Sequence, residues 1–325
     1  MNVRRQHISG LAVAAVTALG LGTLSACSDS VAVGNTEKFD VVASFYPMAY
    51  LAEEIGGEHV NVTTLTQPGQ EPHDLEISVK QTAQLEESDA ALYLKGLQPS
   101  VDEAIAQSEV GTKIDAAELT SLEKHGTEVG GHAEEHEEEH EEEHGHDHDH
   151  EDGQDPHIWL DPVKYAEVAE GVGKAFEKAD PDHAADYRKN TEALVGRLND
   201  LDARFEDGLR DTDTKVFITT HAAFGYLAER YGLTEEAISG LDPESEPSAA
   251  RVKELSEMAK EDGVTTVFYE TLVSDRTAKT LASDAGLATA VLDPLEGITD
   301  KSAGDDYIQV MESNLKALRT ALGAK

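Results

Sequence analysis

Short apolar runs alternate with amphipathic stretches along the chain from residue 39 onwards. Runs such as residues 60–65 have the length and β-branched content of buried strands, and they end at turn-forming residues. Stretches such as residues 163–178 repeat apolar side chains every three or four positions, which predicts amphipathic helices. Strands that alternate with helices indicate mostly parallel sheets covered by helices. The pattern therefore predicts an α/β protein.

One long amphipathic stretch divides this alternation into two parts. Residues 182–210 keep an apolar stripe through Leu194, Leu198 and Phe205, which suits a single rigid helix. A strand pattern begins afresh after it, and 325 residues are enough for two domains with separate cores. We therefore predict an N-terminal α/β lobe at 39–181 and a C-terminal α/β lobe at 211–325. Each lobe should contain a mostly parallel sheet, and the long helix should join them.

The first 38 residues predict export and attachment to a lipid. Arg4 and Arg5 precede an apolar run that is short and rich in Gly and Ala for a membrane span. The sequence Leu-Ser-Ala-Cys at 24–27 resembles the lipobox of bacterial lipoproteins. We predict a signal peptide at 1–26, an acylated Cys27, and a flexible tether over 27–38. An ordinary cleaved signal peptide and a single transmembrane anchor are the alternatives.

Between residues 123 and 155 the composition changes to His, Glu and Asp. This stretch holds 15 Asp and Glu against one Lys, and it contributes to a formal net charge of −39. Such a charge repels a phosphate backbone, which excludes nucleic acid as a partner. The composition cannot bury a core, so we expect a disordered loop over 125–153.

Imidazole prefers borderline ions such as Zn²⁺, and we interpret the histidines of this loop as auxiliary collectors of metal. A solvated acidic loop and a pH-sensitive segment are the alternatives. The histidines concerned are His132, His136, His140, His144, His146, His148 and His150.

Three other histidines occupy similar positions relative to the predicted strands. His73 and His157 each follow a proline directly in a loop, and His221 follows the predicted strand 215–220. Glu270 and Asp293 also end predicted strands. Crevices at the carboxyl ends of parallel strands bind ligands, so these residues are candidates for one metal site. Each histidine alone could equally be a surface or packed residue, and only the repeated context favours a shared site.

Five segments together resemble the ZnuA-like, metal-binding solute-binding lipoproteins of zinc ABC transporters. The resemblance covers nearly the whole chain from about residue 39. The segments are ASFYP at 43–47, GQEPHD at 69–74, DPHIWLDP at 155–162, THAAFGY at 220–226 and LDPL at 292–295.

The resemblance implies that a metal ion lies in the cleft between the two lobes. It implies His73 and His157 as ligands from the first lobe, and His221 from the second. Asp293 would be the fourth ligand, with Glu270 as a substitute or as a carboxylate that orients a ligand. Three imidazoles and a carboxylate suit Zn²⁺, whereas Mn²⁺ prefers more oxygen donors. Because Zn²⁺ binds deprotonated imidazole, we expect affinity to fall below the free histidine pKa of about 6.5.

We therefore expect an extracytoplasmic receptor, anchored by lipid to the outer face of the cell membrane and not an enzyme. It would capture Zn²⁺, the transported ligand, with high affinity and deliver it to an ABC permease and its ATPase. We expect a monomer. The alternatives are a manganese or iron receptor of the same class, and a zinc-buffering or adhesin lipoprotein that is not coupled to transport. A zinc hydrolase is a further alternative, since three histidines with an open position can activate water.

Overall fold

The computed structural model describes residues 38–129 and 154–325. Cys27, the predicted signal peptide and tether, and the seven histidines from His132 to His150 lie outside these ranges, so their assignments stay predictions. Within the described ranges, no helix is long and apolar enough to cross a membrane.

The first sheet contains four parallel strands in the order β2-β1-β3-β4. Its helices begin at recognisable signals: proline opens α1 and α3, and Ser78 forms a capping box with Gln81 at the start of α2. The strands are β1 Phe39–Ala43, β2 Val60–Thr64, β3 Ala90–Tyr93 and β4 Thr112–Asp115, and the helices are α1 Tyr46–Gly56, α2 Val79–Glu87 and α3 Pro99–Gln107.

The second sheet has the order β5-β7-β6-β8-β9, and all its pairings are parallel except that of β5 with β7. The short edge strand β5 comes from the segment before residue 130, which the sequence placed in the first lobe. The strands are β5 Glu128–Val129, β6 Val216–His221, β7 Thr234–Ser239, β8 Thr266–Tyr269 and β9 Ala288–Val291, and the helices are α6 Gly225–Tyr231, α7 Ala249–Glu261 and α8 Arg276–Ala285.

Three longer helices complete the fold: α4 Pro162–Ala179, α5 Ala184–Leu209 and α9 Tyr307–Ala321. Helix α5, the predicted connector, packs against α1, α4 and α9 along its length. Its residues Leu194, Leu198 and Leu201 are fully buried, and each such burial stabilises the fold by about 1.5–3 kcal/mol. The predicted fold of two helix-flanked parallel sheets with a long helix between them is confirmed.

Strand β7 and helix α6 were not predicted from the sequence. Strand β7 contains Glu235 and Glu236, which interrupt the apolar pattern although all six of its residues are buried. Glu235 accepts hydrogen bonds from the hydroxyl of Thr219 at 2.7 Å and the N–H of Phe224 at 3.2 Å, while Glu236 pairs with Arg251 at 2.7 Å. Buried polar groups are tolerated when they have such partners. The two glutamates therefore lie in a buried strand that the apolar pattern of the sequence does not predict.

Candidate metal centre

Four side chains from separate loops converge on one point in the cleft. They are His73, His157, His221 and Glu296, and their possible ligand atoms all lie within 4.8 Å of one another. The Nε2 atoms of the three histidines lie 3.2, 3.3 and 3.3 Å from Oε1 of Glu296. Three imidazole nitrogens and one carboxylate oxygen are a donor set that suits four-coordinate Zn²⁺.

Three of the four donors come from the carboxyl ends of strands or from the loops that follow them, and His157 comes from the start of a helical segment. His73 lies in the loop after β2, and His221 is the last residue of β6. His157 begins a 3-10 turn immediately before α4, and Glu296 lies in the loop after β9. The His73 side chain is 13% exposed, whereas the other three are at most 1% exposed. Solvent therefore reaches this group from the side of His73.

Two buried carboxylates orient the imidazoles of His157 and His221. Nδ1–H of His157 donates to Oδ1 of Asp155 at 2.7 Å, and the same oxygen accepts the backbone N–H of His157 at 2.9 Å. Nδ1–H of His221 donates to Oε1 of Glu270 at 2.8 Å, and Glu270 also accepts the Thr220 hydroxyl at 2.7 Å. With Nδ1 engaged in this way, each Nε2 is directed at the centre of the group. The structure places Glu270 as an orienting carboxylate outside the group of four.

The charged groups of this centre shift one another's pKa values. Burial lowers the pKa of His157, but the nearby charge of Asp155 and the contact with Glu296 outweigh it and raise that pKa to about 9. The pKa of His221 is raised well above its usual value, because Glu270 and Glu296 outweigh burial. Burial raises the pKa of Glu296, but the three imidazoles hold it well below its usual range. A cation that binds here must therefore displace protons from imidazole.

The structure brings Glu296, and not Asp293, to the three histidines. The Oδ1 atom of Asp293 instead accepts the N–H of Leu295 at 2.9 Å. The side chain of Asn314 in α9 holds the backbone of Asp293 by accepting its N–H at 2.9 Å and donating to its carbonyl at 2.7 Å. Leu295 has φ 59°, in the left-handed region, and this turn directs Glu296 into the cleft. The expected fourth ligand therefore shapes the turn that presents Glu296.

Sequence reasoning missed Glu296, although it is the next residue after the LDPL segment. A carboxylate at that place, between apolar residues and Gly297, was the one available signal. The left-handed conformation of Leu295 could not be read from the pattern, because leucine rarely adopts it.

The loops that contain His157 and Glu296 are also joined directly. Nε1–H of Trp159 donates to the carbonyl of Pro294 at 2.7 Å, and the Tyr307 hydroxyl donates to the carbonyl of Trp159 at 2.6 Å. Both contacts are buried. They hold a first-lobe ligand loop and a second-lobe ligand loop at a set distance, with α9 behind them.

Residues 41–321 match the model of the ZnuA family, described as zinc-uptake complex component A, periplasmic. The chain belongs to this family. Its members are solute-binding receptors and not catalysts, which agrees with a site built from ligands and their orienting carboxylates.

Two curated relatives show the extent of the similarity. The chain is 36% identical over 327 residues to the high-affinity zinc uptake system protein ZnuA of Bacillus subtilis, covering 98% of both chains. It is also 36% identical over 306 residues to the zinc-binding lipoprotein AdcA of Streptococcus pneumoniae, covering 91% of this chain and 58% of AdcA. The chain therefore spans little more than half the length of AdcA.

Solved structures share the fold. The Zn(II)-bound ZnuA-like domain of Streptococcus pneumoniae AdcA superposes with a TM-score of 0.70 at 33% identity, covering 88% of this chain and 99% of that domain. The laminin-binding protein Lmb of Streptococcus agalactiae, described as bifunctional with adhesin and metal transporting activity, gives a TM-score of 0.74 at 28% identity. That match covers 87% of this chain and 99% of Lmb.

Proposed function

We propose that this chain is the zinc receptor of an ABC importer, which captures Zn²⁺ outside the cytoplasm and passes it to a membrane permease. The observation that supports this best is the convergence of three Nε2 atoms on Oε1 of Glu296. The relatives named as zinc-binding or zinc-uptake proteins support the same cargo. The metal ligands we propose are His73, His157, His221 and Glu296.

In this proposal Zn²⁺ enters beside His73, the most exposed member of the group. It takes the place that the three Nε2 atoms and the Glu296 carboxylate share, and protons leave the imidazoles as it binds. Asp155 and Glu270 keep His157 and His221 aimed at the ion. Because α5 is continuous and Trp159 ties two ligand loops together, we propose that release requires movement of the His73 loop and not wide separation of the lobes.

The further parts of the proposal follow from the sequence and the family. We propose a signal peptide at 1–26, lipid attachment at Cys27, and a monomer that meets a permease and its ATPase. The lobes at 39–181 and 211–325 and the auxiliary role of the His132–His150 histidines belong to the same proposal. No catalytic step is included in this proposal.

The donor set separates this proposal from a manganese or iron receptor, and a growth test separates it from a zinc-buffering or adhesin lipoprotein. A manganese or iron receptor would be served better by a site with more oxygen donors than one carboxylate. A zinc-buffering or adhesin lipoprotein would hold the same ion but would not support growth. We therefore expect that deletion of the gene impairs growth in zinc-limited medium and that added zinc restores it.

The direct test is zinc stoichiometry and competition with Mn²⁺ on the chain without its signal peptide. It should be measured beside His221→Ala, Glu296→Ala and a version in which a short Gly-Ser linker replaces residues 130–153. We expect one tight Zn²⁺ that survives removal of 130–153 and is lost in both substitutions. If all tight binding disappears with residues 130–153, the cleft is not the zinc site and the proposal fails.

A further inference from the structure

His125 lies outside the group of four, yet it shares a carboxylate with one of the proposed ligands. Nδ1–H of His125 donates to Oδ2 of Asp155 at 2.7 Å, while Oδ1 of the same carboxylate accepts from His157 at 2.7 Å. The His125 side chain is only 6% exposed, and that of Asp155 is fully buried. The carboxylate therefore bridges two imidazoles, of which one faces the metal centre and the other does not.

The ring of His125 is seated on the second lobe, at the start of α6. It packs edge-on against the Tyr226 ring, with centroids 4.6 Å apart. Gly225 leaves room for it, since a Cβ at that position would lie 2.6 Å from Cγ of His125. Its Nε2 lies 3.3 Å from a carboxylate oxygen of Glu229. Helix α6 begins four residues after His221. His125 therefore lies between the loop that contains His157 and the helix that follows His221.

The backbone around His125 is held from both sides. The Tyr226 hydroxyl accepts the N–H of Glu123 and donates to the carbonyl of Asp155, each at 2.8 Å. The N–H of Asp155 donates to the carbonyl of Glu123 at 2.9 Å, and Ala237 of β7 donates to the carbonyl of Thr127 at 2.8 Å. The imidazole is thus presented by a fixed segment. Because other contacts fix the position of His125, its imidazole can hold the Asp155 carboxylate in place.

A carboxylate with one hydrogen-bonded oxygen can turn about its last torsion, which is soft. A second strong contact on the other oxygen fixes the plane of the group and with it the ring that it orients. We propose that His125 is a positioning residue of the metal centre, acting on His157 through Asp155. This inference rests on the proposed zinc-binding function. The hydrogen bonds from His125 and from His157 to Asp155 also connect the segment just before residue 130 to the site.

The test compares three replacements of His125 in the full chain without its signal peptide. His125→Asn keeps a donor near the Nδ1 position without the ring, His125→Phe keeps the ring against Tyr226 without the donor, and His125→Ala keeps neither. Zinc affinity is measured by competition with a chromophoric chelator, and folding by circular dichroism. We expect affinity to fall by roughly 10-fold in His125→Phe and His125→Ala, at the low end of the range for residues that orient a ligand, and to be largely retained in His125→Asn.

A double-mutant cycle with Asp155→Ala, which removes both carboxylate oxygens, tests whether the effect passes through Asp155. If it does, adding His125→Phe to Asp155→Ala should weaken zinc binding by much less than His125→Phe does alone. Unchanged affinity in folded His125→Phe, equal losses in His125→Asn and His125→Phe, or additive losses in the cycle would each overturn the inference. If His125→Ala does not fold, the comparison of His125→Asn with His125→Phe still decides. Failure of the proposed function would be recognised separately, because the unmodified chain would then bind no tight zinc.

Discussion

Replacing Asp293 distinguishes a metal ligand from a residue that shapes the turn before Glu296. Asp293→Ala removes the acceptor of the Leu295 N–H, which is buried and has no other partner in the turn. Asp293→Asn keeps an oxygen at that place but removes the negative charge. If Asp293 acts through the turn, only the alanine variant should lose function.

The magnitudes follow from the contacts. A buried N–H left without an acceptor costs about 1–3 kcal/mol. The left-handed conformation of Leu295 costs a further ~1–2 kcal/mol. In the native turn, the hydrogen bond from the Leu295 N–H to Asp293 offsets this cost. We therefore expect Asp293→Ala to lower the free energy of unfolding by about 1–3 kcal/mol, because the turn relaxes instead of keeping both penalties. Zinc affinity should fall by about 10–100-fold as Glu296 leaves its place.

Denaturant unfolding of the metal-free chain and zinc competition against a chelator measure the two effects. Asp293→Asn should stay within about 1 kcal/mol of the unmodified chain in stability, since it keeps the hydrogen bond at neutral strength. Glu296→Ala should lose zinc because it removes a proposed ligand, so its zinc affinity, and not its stability, is compared with that of the two Asp293 variants. If Asp293→Asn loses zinc as completely as Glu296→Ala does, the charge of Asp293 takes part in coordination, and our assignment of the fourth ligand is wrong.

Three further predictions concern pH, the contact between the ligand loops, and the orientation of His221. Zinc affinity should rise with pH up to about 9, because above that pH His157 carries no proton that competes with zinc. The rise should be about one log unit per pH unit for each proton displaced. The same raised pKa stabilises the metal-free fold fully below the unfolded value of about 6.5, and that contribution is lost as pH rises through about 9. Titration calorimetry and thermal melts across this range would show opposite trends, and a flat affinity profile would contradict the assignment. Trp159→Phe leaves the Pro294 carbonyl unpaired and should lower the free energy of unfolding by about 1–3 kcal/mol, and an unchanged denaturation midpoint would refute this. Glu270→Ala frees the ring of His221 and should weaken zinc binding by about 10–100-fold, with Glu270→Gln less affected; equal binding in all three proteins would show that orientation is unimportant.

The sequence by itself determined the class of fold and three of the four residues that meet in the cleft. Strand and helix patterns are local, so elements such as β6 and α5 were predicted to within one or two residues of their observed ends. His221 could be selected because it ends a strand, where parallel sheets expose their loops, and His73 and His157 because each follows a proline in a loop. Those features require only the residue and its near neighbours along the chain.

Tertiary structure decided the remaining parts of the site. Glu296 replaces Asp293 because a left-handed Leu295 and the contacts from Asn314 and Trp159 turn the chain, and those partners are distant in sequence. Strand β7 is hidden by glutamates whose hydrogen-bond partners lie on other elements. The link from His125 through Asp155 joins residues that are separated by the whole His- and Glu-rich stretch. In each case a polar side chain takes its role from a partner brought to it by folding, and a one-dimensional pattern does not contain that partner.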